Sequence, residues 1–158
     1  MRLRFSRAVV IMATTAIGML AADNSIGAWK RNIEKTKYNP TPQNPYKSQI
    51  MVREAVDGGV KVTSKGERMD GSLADTTYTV KYDGTPAPVS GTGTQFDMIS
   101  MKQIDANTFT SETKKTGGKY HTTGRTVISK DGKMMTNTSK GTDADGKPIS
   151  FSIVYDKQ

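Results

Sequence analysis

The sequence holds one histidine, His121, and no cysteine. Without cysteine there are no disulfides, no thiolate nucleophile, no iron–sulfur cluster and no cysteine-ligated zinc. One histidine removes any site built on two imidazoles of the same chain. Nucleophilic catalysis needs a base beside its nucleophile. No serine sits in a Gly-x-Ser-x-Gly elbow, and nothing around His121 favours a triad, so it reads as a strand surface residue. Asp143 and Asp145 lie in a Thr-Asp-Ala-Asp-Gly-Lys stretch that looks superficially like a calcium loop. The later bidentate Glu and the other alternating ligands are missing, and the stretch reads as a hairpin loop. No Gly-x-x-x-x-Gly-Lys-Ser/Thr phosphate cradle occurs, and Gly91-Thr92-Gly93 is an isolated glycine stretch. The pattern points away from an enzyme and implies no metal and no cofactor.

The side chains left to do chemistry are those suited to lining a cavity: Trp29, Tyr78, Tyr82, Phe151 and Tyr155. Small β-barrels hold aromatics inside and often enclose one ligand. Arg125 and His121 are four apart in one strand, so they share a face. If that face is inward, Arg125 meets a ligand carboxylate or phosphate by charge-assisted hydrogen bonds. The opposite phase puts Tyr120, Thr122, Thr126 and Ile128 inside. Val127 and Ile128 pull in opposite directions, and the pattern leaves both phases open.

The elements that must position these residues begin after a leader. Residues 1–22 carry Arg2, Arg4 and Arg7, then an uncharged run from Ala8 to Ala22 ending in small residues. That is the layout of a secretory signal peptide cleaved after Ala22. Its uncharged run falls short of the roughly 20 apolar residues of a membrane span. The expected mature chain, residues 23–158, is a single domain that is periplasmic or secreted, with no stable membrane span. The net charge of the whole chain is +8. Loss of the three leader arginines brings it to +5. A chain of that length buries roughly two thirds of its unfolded surface.

The mature region reads as all-β. Asp57-Gly58, Asp70-Gly71, Asp83-Gly84, Gly117-Gly118, Asp131-Gly132 and Asp145-Gly146 punctuate it, and such pairs supply the positive φ of tight hairpins. Runs rich in Val, Ile, Thr and Tyr lie between them. Nine strands are expected, at 27–34, 47–56, 59–66, 75–83, 95–104, 107–115, 119–129, 133–140 and 148–156, with no substantial helix. Ile149, Phe151, Ile153 and Tyr155 alternate with polar residues, as in a strand with one face on a core. The run 107–115 has almost no apolar face. Residues 39–45 hold Pro40, Pro42 and Pro45 and read as a linker across one end of the fold. Pro86, Pro88, Gly91 and Gly93 mark a second irregular stretch. Two segments also echo each other: Asp57-Gly58 through Asp83, and Asp131-Gly132 through Asp156. Each runs turn, polar strand end, turn, aromatic alternating strand.

Lysines and arginines are scattered among acids, as in Arg53-Glu54 and Glu67-Arg68. Lys114, Lys115 and Lys119 form only a modest cluster. A nucleic-acid site shows a clustered basic face with stacking aromatics, so no nucleic acid is expected. A transmembrane barrel needs an outward apolar face and aromatic girdles. Aromatics make up only 7% of this chain.

Gly27-Ala28-Trp29 opens the first strand, Asp-Gly hairpins follow, and Val154-Tyr155-Asp156-Lys157-Gln158 ends the chain. With Lys81-Tyr82-Asp83-Gly84 and Ser129-Lys130-Asp131-Gly132-Lys133, this text resembles the calycin group of lipocalins and fatty-acid-binding proteins, and in particular small exported bacterial lipocalin-like proteins. The resemblance covers most of residues 27–158. It implies an antiparallel up-and-down β-barrel of about 8–10 strands that binds a small apolar or amphipathic ligand as a monomer. It departs from fatty-acid-binding proteins in three places. A proline-rich stretch stands where they have a helical lid. Ile153-Val154-Tyr155 stands where they have Arg-x-Tyr. The chain ends at Gln158, with no helix after the barrel. The alternative is a structural protein with a packed barrel and a partner site on its surface.

Overall fold

The computed structural model describes residues 22–158, so the expected leader lies outside the described residues except for Ala22. Ten strands follow in order: β1 (Gly27–Asn39), β2 (Tyr46–Val56), β3 (Gly59–Arg68), β4 (Leu73–Lys81), β5 (Ala87–Pro88), β6 (Met98–Asp105), β7 (Thr108–Lys114), β8 (His121–Ile128), β9 (Met134–Thr142) and β10 (Pro148–Lys157). No helix occurs among them. They form one antiparallel sheet ordered β4-β3-β2-β1-β10-β9-β8-β7-β6-β5. Every neighbour except the β1–β10 pair is consecutive in sequence. The two ends of this sheet also meet. Thr77 of β4 and Ser90 exchange backbone bonds of 2.8 and 3.0 Å, and Asp75 N donates to Thr92 O at 3.1 Å. The sheet therefore curls into a nearly closed up-and-down barrel.

Two features depart from the expected nine strands. β5 is a two-residue strand inside the Pro86–Gly93 stretch, too short and too proline-rich to carry an alternation signal. β1 runs on to Asn39 because a bulge between Asn32 and Lys37 lets it keep pairing with β10. The Thr36 hydroxyl holds that bulge, donating to Asn32 O at 2.8 Å and accepting from Val154 N at 3.2 Å. The two echoing segments become equivalent units, β2-β3-β4 and β8-β9-β10, with their Asp-Gly pairs at matching turns. At Asp131-Gly132 the carboxylate accepts from the Ser129 hydroxyl at 2.6 Å and from Lys133 N at 3.0 Å. These bonds hold the Asp131 carboxyl below its ordinary pKa.

The barrel has two unlike ends. At one, residues 22–26 cross beneath the strands. Asn24 N donates to Ala106 O, and the Trp29 indole N–H donates to Ser25 O at 2.8 Å. Around this plug Trp29, Val60, Val62, Val80, Phe109 and Met135 form a dry core. The turns after β1, β3, β7 and β9 gather at the other end. There the inward-facing Tyr38, Tyr78, Ser111, Asn137, Phe151 and Ile153 are only partly covered. Beside them Tyr120 is buried and stacks on Phe96, with ring centres 6.1 Å apart.

Closure between β4 and β5 depends on a close backbone approach. A Cβ on Gly91 (φ 153°) would stand 2.1 Å from the carbonyl oxygen of Asp75. Gly91→Ala is expected to open this seam and to destabilise the barrel by about 1–3 kcal/mol. Urea unfolding of the two proteins measures the difference.

Candidate functional site

Strand phase sends two arginines into the barrel. Trp29 and Arg31 are in phase on β1, and Met51 and Arg53 on β2, so a core residue at each first position carries its neighbour inward. Arg31 is 6% and Arg53 4% exposed. Arginine stays protonated at any ordinary pH, so each brings a full charge into a region of low dielectric. Moving an isolated ion there costs several kcal/mol unless an opposite charge or hydrogen bonds answer it.

Arg53 is answered. Its Nε donates to the Ser25 hydroxyl at 2.9 Å, and Nη2 points at the Tyr82 hydroxyl at 3.4 Å. The Ser25 hydroxyl and the Tyr82 hydroxyl both donate to the Asp23 carboxylate. One hydrogen bond thus separates the guanidinium from a carboxylate, and the plug at the closed end is locked to the barrel wall.

Arg31 is not answered in that way. Its Nη1 donates to the Tyr38 hydroxyl at 2.8 Å and its Nη2 to the Tyr155 hydroxyl at 3.3 Å. Its Cζ stands 4.5 Å from the centre of the Tyr46 ring and 5.6 Å from that of Tyr155. Tyr155 hands the polarisation on, donating to Gln49 Oε1 at 3.3 Å, and Gln49 donates to the Ser64 hydroxyl at 2.6 Å. The Arg31 Nε–H is buried and finds no acceptor among the described residues. Among the described residues no carboxylate comes within ion-pair distance of Arg31. Phenols and an amide surround the charge, but nothing neutralises it. Above this layer Tyr38 and Phe151 pack with ring centres 6.5 Å apart.

The residues singled out in the sequence fall in three places. Trp29 and Tyr82 belong to the closed end; Trp29 is fully buried in the floor and Tyr82 is tied to Asp23. Tyr78, Phe151 and Tyr155 face the lumen. Burial pushes the Tyr78 phenol pKa up, and its ring packs against the core. Arg125 does not join them. Tyr120, Thr122 and Ile128 are the buried residues around β8, which turns Arg125 and His121 outward to solvent. His121 pairs there with Glu112 at 2.7 Å. Hydropathy alone does not bring Arg31 and Arg53 into the interior, since it assigns charged residues to the solvent side. Their phase with Trp29 and Met51 was the available signal.

No protein-family model matches the chain, and no curated protein matches it in sequence. Among solved structures, one described as EF1p2_mFAP2b bound to DFHBI is similar over 85% of this chain and 94% of that one, with 8% identity and a TM-score of 0.46. That likeness is too loose to assign a fold or a function.

Burial, reinforced by the hydrogen bond to Asp23, pushes the Tyr82 phenol up to about 12 from 10.0. A folded-state pKa above the unfolded value gives stability that is complete below pH 10 and is lost as pH rises through about 12. The barrel is therefore expected to weaken steeply across that window. In Tyr82→Phe part of this alkaline slope disappears, as read from urea midpoints along a pH series.

Proposed function

We propose that this chain is an exported, non-enzymatic β-barrel that takes a small, partly apolar anion into the partly covered half of its lumen. The observation that carries this is Arg31, a buried guanidinium with an unused Nε–H and no carboxylate, at the floor of a partly uncovered aromatic and hydroxyl-lined space. An acidic headgroup placed there would accept from Nε and neutralise the charge by charge-assisted hydrogen bonds. The apolar part of such a molecule would lie along Tyr38, Phe151 and Ile153 toward the mouth. Export is supported by the basic, apolar and small-residue layout of residues 1–22. A non-enzymatic role is supported by His121, the single imidazole, which stands exposed on the outer wall and pairs with Glu112 at 2.7 Å.

Isothermal titration with decanoate and with decanol separates the parts of this proposal, because the two share a tail and differ in charge. The wild-type barrel is expected to bind decanoate at least about tenfold more tightly than decanol, as a charge-assisted bond requires. In Arg31→Met that preference should vanish while the fold survives, since replacing a buried charge by an apolar side chain of similar size is often neutral or stabilising. Equal affinities in the wild type would remove Arg31 from the site. If neither compound binds, the barrel is a packed scaffold.

A further inference from the structure

The outer wall of the barrel carries a second feature, independent of the lumen. A groove of about 820 Å3 crosses β6, β7, β8 and β9 on the solvent side. Its floor is the backbone around Met101, Ser111, Gly124 and Ser139, whose own phase is inward. Its walls are the outward residues between them, and the strand register sets these in two rows. Ser150, Lys140, Thr123, Glu112 and Ser100 are successive cross-strand partners. So are Thr138, Arg125, Thr110 and Lys102.

The charge on these rows is unbalanced. Lys102, Arg125 and Lys140 are exposed, and among the described residues none is in an ion pair. The carboxylate in the lining, Glu112, is held by His121. Neighbouring strands lie about 4.8 Å apart. Lys140 and Arg125 therefore stand one strand apart on a diagonal. Arg125 and Lys102 stand two strands apart, on the order of 10 Å. Arg125 and Lys102 share one row and Lys140 stands on the other, with threonine hydroxyls between them.

We infer that this groove binds an acidic polysaccharide. Spaced cations match acidic groups that recur along an extended chain, and threonine and serine hydroxyls match the sugar hydroxyls between those groups. No aromatic side chain lines the groove, which removes the stacking platform that single-stranded nucleic acid uses. The outward walls carry no large apolar side chain of the kind that anchors a protein partner. A polymer that crosses several strands also fits a long shallow groove better than a compact ligand does.

Titration with polygalacturonate oligomers, with neutral dextran as the comparison, tests this. Polygalacturonate is expected to bind and dextran not to bind. The affinity should fall with salt, and the logarithmic slope should drop by roughly one for each cation removed. Arg125→Ser and Lys140→Ser each weaken binding by about tenfold. Both positions are solvent-facing, and circular dichroism verifies that the variants fold. The doubly substituted Lys65→Ser/Lys81→Ser protein loses twice the charge of either single variant, from the outer face of β3 and β4, and should keep wild-type affinity. Arg31→Met should keep it too, because the lumen takes no part. The inference is overturned by an equal loss in the Lys65/Lys81 protein, which would mean attraction by net charge alone. Absence of polygalacturonate binding at low salt, or tighter binding of duplex DNA, would overturn it as well.

Discussion

The pairing of the first strand with the last holds the rest of the barrel in place. Among the described residues β1 and β10 are the only strands with a neighbour far away in sequence, and each is that neighbour for the other. Every other contact in the sheet can form from a local hairpin, but this one must bring together segments more than a hundred residues apart, as the Arg31–Tyr155 hydrogen bond shows with a separation of 124. Such closure is entropically costly and slow to form. In return it aligns Trp29 with Lys157 and Arg31 with Tyr155. The first of those levels seals the closed end, where the Lys157 ammonium caps the Trp29 ring and donates to Ile26 O. The second level builds the phenol layer around Arg31. Without the seam there is neither a floor nor a site.

The two inward arginines show how one barrel supports two environments. Arg53 sits where the plug delivers a carboxylate, and its relay through Ser25 and Tyr82 turns a buried charge into a clasp between residues 23–25 and the wall. Arg31 sits two residues further from the plug than Trp29, beyond the reach of Asp23, among groups that accept hydrogen bonds without carrying charge. A buried ion pair broken by loss of one partner is strongly destabilising. Arg31 resembles such a half pair, but with phenol rings and hydroxyls spreading its charge. The barrel tolerates it because Tyr38, Tyr46 and Tyr155 together offer two acceptors and two π faces. A core position that needed only packing would be served better by leucine or methionine.

Much of the architecture was legible because turn chemistry is local. Asp-Gly pairs placed the hairpins, and the alternation of Phe151, Ile153 and Tyr155 gave the inward face of the last strand. Four things were hidden. β5 is held by a partner strand and a close approach at Gly91, and neither leaves a periodic trace. Val154 is buried although it points away from the lumen, because the β1 bulge folds Thr36 over it. The phase of β8 could not be fixed from Val127 and Ile128 alone. It is set by the neighbours, since Thr122 bonds to Thr113 across the strand pair and Ile128 pairs with the buried Met135. Arg31 and Arg53 were hidden for a related reason. Hydropathy assigns an arginine outward, whereas strand phase assigns it by its neighbours two residues away.

The scarcity of apolar residues along β7 and β9 bears directly on the lumen. Phe109 and Met135 serve the dry end, but the inward residues above them are Ser111, Thr113, Asn137 and Ser139, and the outward ones are polar as well. A strand buried on one face shows an apolar stripe there. One that is polar on both faces must meet water, or polar partners, on both. Asn137 finds Thr126 at 3.0 Å and accepts from the Ser139 hydroxyl at 2.9 Å, and Thr113 bonds Thr122 at 2.7 Å, so the inner wall is largely paired with itself. The same composition gives this wall a polar inner face on one side and a hydroxyl-lined groove on the other. Arg31 lies where the apolar floor gives way to this polar part of the interior, held by the Tyr38 and Tyr155 hydroxyls.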